Sequence, residues 1–295
     1  MLNVKKQFDR VHARFNMAVL PARDAKIRLS GAITSFRYRP ERLSRYDCCL
    51  QCCVQRTGSR WLLRVLSDPT VYRYSGLTMQ PYPQLPDRLP TRNGERRPPA
   101  VRTRSIVGPL YYDYQSFAAV PKPDSYRAVF VLRDPRDIIV SHYFSTRDTH
   151  RLNPMICERR HVLGSIDERE GMLKMIEWNE SDGMFSSIEG WLNEIEAQPD
   201  RLRLCRYEDI TGPQQVDFLG ELLEFMDVKV PEPDYADLLD RYSLTKMRGG
   251  KTGAVVANSH YRSGRSGGWK EKLDDELMER LQHAVGPRVR KLYDF

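Results

Sequence analysis

The stretch from Asp47 to Leu66 constrains this chain more than any other. Asp47-Cys-Cys-Leu-Gln-Cys-Cys-Val54 is a short apolar run that passes through Gln55-Arg56-Thr57-Gly58-Ser59-Arg60-Trp61 into a helical pattern, Leu62-Leu63-Arg64-Val65-Leu66. Neighbouring residues of a strand point to opposite faces. A strand with cysteines at 48, 49, 52 and 53 is therefore apolar on both faces and belongs inside a covered sheet. The tight turn that follows presents consecutive backbone N–H groups at a helix N-terminus, which makes an anion site. Gly58 allows a positive φ or a close backbone approach. Arg56 adds a permanent, fork-shaped cation, and Thr57 and Ser59 add hydroxyl donors. The loop lacks the lysine and following hydroxyl of Gly-x-x-x-x-Gly-Lys-Ser/Thr, which argues against ATP hydrolysis.

Four of the six cysteines crowd into that one strand, with no second ligand cluster at zinc spacing. They are read as small core residues in a reducing compartment, and no metal is expected.

Further strands are expected at Ser105–Pro109, Ala128–Arg133 and Arg203–Arg206, besides Cys48–Gln55. Helical patterns lie between them at Trp61–Leu66, Ile138–Ser145, Met184–Glu196 and Val216–Met226. In the third, Phe185, Ile188, Trp191, Leu192 and Ile195 share one face, with Asp182 as the expected cap. The alternation implies an α/β fold: a single three-layer domain with a central, mostly parallel sheet flanked by helices. Tyr72–Thr103, rich in proline, reads as one long surface loop, and Arg248–Gly268 as a glycine-serine-basic segment before a helix near Asp274. No apolar run reaches the length of about eighteen residues that a membrane span needs, and no secretory signal is evident, so a cytoplasmic location is expected.

The net charge of +8 is unevenly placed: through Tyr46 there are eleven Lys/Arg against three Asp/Glu, and the rest of the chain balances. Residues 1–46 are therefore read as a basic extension and 47–295 as the main domain. Such an extension suits an anionic membrane, a polyanionic substrate or nucleic acid, or a solvated arm packed on the domain. Peripheral membrane contact is carried forward and no nucleic-acid partner is expected. Lys5, Lys6, Arg10, Phe8, Val11, Phe15 and Met17 follow an amphipathic pattern that is either interfacial or core-facing.

Three more segments carry anion chemistry. Val129-Phe-Val-Leu-Arg133-Asp-Pro-Arg-Asp137 is a strand end that turns into a helix bearing Ser141. Arg203-Leu-Cys-Arg-Tyr207-Glu-Asp209 ends another strand on an aromatic residue, and Tyr261-Arg-Ser-Gly-Arg-Ser-Gly-Gly-Trp-Lys270 is a glycine-rich basic loop. In this order the four segments resemble the PAPS-dependent sulfotransferase family, from about Asp47 to about Lys270. Arg56 to Trp61 looks like the family's P-loop-like 5′-phosphosulfate loop, and Arg133 to Ser141 like its 3′-phosphate motif. Arg262-x-Gly264 through Lys270 is similar to the loop that closes over the nucleotide.

The resemblance implies transfer of a sulfuryl group from PAPS to a hydroxyl acceptor, a glycan or a small molecule, leaving PAP and requiring no metal. By similarity Arg56, Thr57, Gly58, Ser59 and Arg60 hold the phosphosulfate, and Trp61 and Tyr207 meet the adenine. Arg133, Ser141, Arg262, Ser263 and Gly264 stand at the 3′-phosphate positions, although many members carry lysine where Ser263 stands. Members often have lysine at Arg56 and a small hydroxyl residue at Arg60. Many place a base histidine before the 3′-phosphate arginine, where this chain reads Ser105-Ile-Val-Gly-Pro-Leu-Tyr-Tyr-Asp113-Tyr114. Asp113 is the first candidate base, followed by His142, with His150, His161 and His260 behind them. The alternatives are a PAP-binding protein without catalysis and a P-loop kinase.

Overall fold

The computed structural model describes residues 22–86, 91–92, 95–150, 152–243, 246 and 266–295. The amphipathic segment from Lys5 to Met17, and His260, Arg262, Ser263 and Gly264, lie outside them.

After a first helix, α1, over 22–37, the central strand β1 (Cys48–Cys53) is buried along its whole length. Cys48, Leu50 and Cys52 join one core cluster, whereas Cys49 and Cys53 join the other. The thiols are free and act as small apolar groups, and burial pushes those of Cys48 and Cys53 up to about 12. Gln51 is the polar exception: its Nε2 donates to Ser59 O at 2.6 Å, tying the strand to the first residue of the following helix.

The remaining strands are β2 (Thr78–Gln80), the small β3–β4 pair (Thr91–Arg92, Glu95–Arg96), β5 (Ser105–Leu110), β6 (Tyr126–Leu132) and β7 (Leu202–Arg206). Five of them form one parallel sheet in the order β2-β5-β1-β6-β7. Parallel neighbours need helical crossovers, so both faces are covered. One face carries α2 (Ser59–Leu66), α3 (Pro69–Arg73), α10 (Gln215–Phe225) and α11 (Glu232–Arg241). The other carries α5 (Pro135–Phe144), α6 (Pro154–Leu163), α7 (Glu168–Ser181) and α8 (Met184–Ala197). The closing helices α12 (Asp275–Ala284) and α13 (Pro287–Tyr293) join that second layer. Two short helices, α4 (Tyr114–Ala118) and α9 (Tyr207–Thr211), follow strand ends. Trp191 of α8 stacks on Phe130 of β6 with centroids 4.9 Å apart, and its Nε1 donates to Tyr112 O at 2.8 Å. Burying each such side chain contributes roughly 1.5–3 kcal/mol.

Two local expectations differ from what is seen. Asp182 does not cap α8: Gly183, at φ 77°, does, without a side-chain bond. Asp182 instead ends α7, where Arg159 grips its carboxylate with two bonds of 2.8 Å. The Tyr72–Thr103 segment is not one loop, because Thr78–Gln80 pairs with β5 as an edge strand. Its three residues are too few to show a period, and edges are where neighbouring prolines are tolerated. The side chain of Gln80 then ties the segment down, donating to Ala100 O at 3.1 Å and accepting from Arg102 N at 2.8 Å. Among the described residues no helix is long and apolar enough to cross a membrane.

Candidate active site

A cavity of about 1220 Å³ opens at the C-terminal ends of β1, β6 and β7. A parallel sheet places its sites there, because loops and helix N-termini converge at the strands' carboxyl ends. Gln55 to Trp61, Asp113, Arg133, Ser141, His142 and Tyr207 all line it, so segments more than 150 residues apart meet in one place.

The turn after β1 is held by Thr57, whose Oγ1 donates to Val54 O at 2.9 Å. Arg56 and Gly58 both have positive φ, 68° and 75°, and Gly58 caps α2. Arginine in that region is strained by roughly 1–2 kcal/mol, a cost kept where geometry matters. The conformation sends its side chain across the cavity, where Nε donates to Ser141 Oγ at 3.0 Å. Gly58 is required by crowding as well as by φ, since a Cβ there would sit 2.6 Å from Tyr207 Cδ2. The guanidinium of Arg133 lies 4.4 Å from the centroid of the Tyr207 ring. Trp61 is buried, and its Nε1 donates to Tyr242 O at 2.8 Å.

The Arg133-Asp-Pro-Arg-Asp137 turn divides its charges by direction. Arg133 and Asp137 line the cavity and pair at 3.4 Å. Arg136 turns away, grips Asp134, donates to Tyr293 O at 2.5 Å and packs over Trp269 and Phe295. Asp137 also accepts from Gly267 N at 2.8 Å and Trp269 N at 3.2 Å. One carboxylate thereby fixes the end of the glycine-rich basic loop to the start of α5.

His142 is buried one position after Ser141. Asn179 Nδ2 donates to Met175 O at 2.6 Å, which turns Asn179 Oδ1 toward His142 Nδ1, 2.9 Å away. That network assigns the hydrogen to Nδ1 and the lone pair to Nε2. Burial first, then the charges of Arg56, His150 and Arg159, lower the imidazole's pKa to about 3, so it is neutral at neutral pH. His150 follows a π-helical turn (Ser145–Thr149), and its ring centre lies 6.5 Å from that of His142. Asp113 lines the cavity too, and its Oδ1 accepts from Ser116 N at 2.6 Å to cap α4. Two residues before Asp113, Tyr111 lines the cavity beside Ser59, and burial pushes its phenol up to about 12. Neither Asn179 nor Tyr111 carries a readable signal, because each matters only through a neighbour distant in sequence.

Residues 49–295 match the family model described as Sulfotransferase domain. A flavonol sulfotransferase-like protein of Flaveria bidentis is 22% identical over 198 residues, which cover 61% of this chain and 61% of that relative's length. The match thus spans less than two thirds of the relative. The fold is similar to that of mouse sulfotransferase SULT7A1 complexed with PAP, with a TM-score of 0.56 and 14% identity. That superposition covers 86% of this chain and 91% of the mouse chain.

Proposed function

The chain belongs to the sulfotransferase family, and from that premise we propose that it moves a sulfuryl group from PAPS to a hydroxyl acceptor, a glycan or a small molecule. The observation that carries the reading is the Arg56–Ser141 bond of 3.0 Å, which joins the 5′-phosphosulfate loop to the 3′-phosphate motif within one cavity. ATP has no 3′-phosphate to engage the second motif.

The donor supplies an activated sulfuryl group whose bond to the leaving phosphate oxygen breaks as the acceptor oxygen attacks. Arg56 and the amides at the start of α2 face the charge that builds on that oxygen. Thr57, Gly58, Ser59 and Arg60 complete the loop, and Trp61 and Tyr207 form the base-side wall. Arg133 and Ser141 take the 3′-phosphate, joined by Arg262, Ser263 and Gly264 as the loop's share. We assign proton acceptance to His142 Nε2, with Asp113 as the second candidate because one of its oxygens is committed to capping. The basicity of His142 is lowered first by burial and next by the charge of Arg56, and a bound anion offsets the second of these.

The main domain of this reading spans 47–295, preceded by a basic extension over 1–46. Peripheral contact of that extension with an anionic membrane is supported by Leu29, Ile33 and Phe36, which are exposed on one face of α1 beside Lys26 and Arg37. Co-sedimentation with phosphatidylserine vesicles, lost in Phe36→Asp, is the expected result.

The central test is transfer of label from ³⁵S-PAPS across an acceptor panel, beside calorimetric affinities for PAP and for ATP with magnesium. Labelled product and a preference for PAP are expected. Tight PAP binding with no transfer would leave the binding-only reading, and a preference for ATP would overturn the assignment of Arg133 and Ser141.

A further inference from the structure

His142 can take a proton but is poorly placed to keep one. Its Nδ1 is committed to Asn179 Oδ1, 2.9 Å away, and Asn179 is itself fixed through Met175 O. A proton taken at Nε2 therefore has to leave again from Nε2. The imidazolium formed there is buried beside Arg56 and Arg159, whose charges oppose protonation together with His150. Every turnover that draws a proton from a hydroxyl leaves this one to be passed on.

His150 lines the same cavity and is half-buried where His142 is buried. The two ring centres lie 6.5 Å apart. That spacing is too long for a direct bond between ring nitrogens and suits one bridging water.

An irregular turn brings His150 there. Between α5 and α6, Ser145–Thr149 form a π-helical turn, closed by His150 N donating to Ser145 O at 2.5 Å. Arg160 of α6 braces that turn at both ends. Its Nε donates to Thr146 O at 2.9 Å and its Nη2 to His150 O at 3.0 Å. Single π turns of this kind are found often at functional sites.

We propose that His150 is the onward proton acceptor of the reaction, receiving through one water the proton that His142 Nε2 takes from the acceptor hydroxyl. The acceptor oxygen forms its bond to sulfur as the bond from sulfur to the leaving phosphate oxygen breaks. The hydroxyl proton goes to His142 Nε2, then through water to His150 and out to solvent. The proposal rests on the transfer reading and on His142 as its base.

The test uses the full chain, labelled PAPS and two kinds of acceptor. Benzyl alcohol or maltotetraose, whichever is faster, brings a proton; 4-nitrophenol at mildly alkaline pH is largely ionised and brings none. His150→Gln should lower kcat for the alcohol roughly tenfold, and imidazole added to the buffer should restore it. The loss should shrink to about twofold with 4-nitrophenol, with PAP affinity held within about twofold. In PAP-loaded protein carrying ¹⁵N-labelled histidine, long-range ¹H–¹⁵N correlation should show His142 as the Nδ1–H tautomer. Equal losses with both acceptors, a loss that imidazole does not restore, parent kcat for the alcohol, or an Nε2–H tautomer of His142 would overturn the inference. So would transfer to 4-nitrophenol alone, since no proton then needs a path. Parent kcat for the alcohol in His142→Gln would instead strike the base assignment, and no transfer to any of the three would strike the transfer reading, each taking this inference with it.

Discussion

Arg56 Nε donates to Ser141 Oγ at 3.0 Å, although the two residues are 85 apart in sequence. The contact joins the loop after β1 to the helix after β6, and Arg56 makes it from a left-handed backbone conformation. Ser141→Ala should weaken PAP binding about tenfold, the usual scale for a hydrogen bond to a charged group. Arg56→Gly should abolish transfer and yet unfold at a temperature no lower than the parent, because glycine relieves the positive-φ strain. Calorimetry of both variants checks the pair, and a large loss of stability in Arg56→Gly would contradict the strain argument.

Gly58 and Tyr207 are in contact without room for a methyl group, at 2.6 Å from the site of a Cβ to Tyr207 Cδ2. Gly58→Ala should destabilise the fold by about 2 kcal/mol, from strain at positive φ and displacement of the ring. Pairing it with Tyr207→Ala should recover part of that loss, giving a favourable coupling in a urea-denaturation double-mutant cycle.

Asp137 should behave as a clasp. Asp137→Ala removes the partner of Arg133 and both amide contacts to Gly267 and Trp269. Breaking a buried ion pair by removing one member costs about 3 kcal/mol. Hydrogen exchange at the Gly267 and Trp269 amides should accelerate, while amides in β1 keep their parent protection.

His142 makes stability depend on pH in a set direction. Its folded pKa, about 3, lies below the ordinary 6.5, so the unfolded chain binds the proton more readily between those values. Its contribution is complete above pH 6.5 and is lost as pH falls toward 3. His142→Gln should therefore flatten the acid side of the stability curve, read as urea midpoints from pH 7.5 to pH 4.5. If His142 Nε2 also takes the acceptor's proton, the same variant lowers kcat far more than it changes PAP affinity.

Much of the strand-turn-helix frame of the cavity was legible in advance. The Cys48–Cys53 strand announced itself because adjacent apolar residues on both faces have few other uses, and the Arg-Thr-Gly-Ser turn because backbone amides at a helix start favour anions. Less could be read where one residue serves two distant neighbours. Asp182 looked like the cap of α8 and is the partner of Arg159, while Thr78–Gln80 was hidden by its shortness.

What the sequence determined by itself is local: strand, turn and helix order, the parallel sheet they demand, and the residue types suited to an anion. Tertiary structure decided which of two near-identical arginines, Arg133 or Arg136, faces the cavity, and which tautomer of His142 Asn179 selects. The division is physical. Propensity and periodicity act over one or two turns of chain, whereas charge pairing and hydrogen-bond direction depend on groups that only the folded sheet brings within a few ångströms.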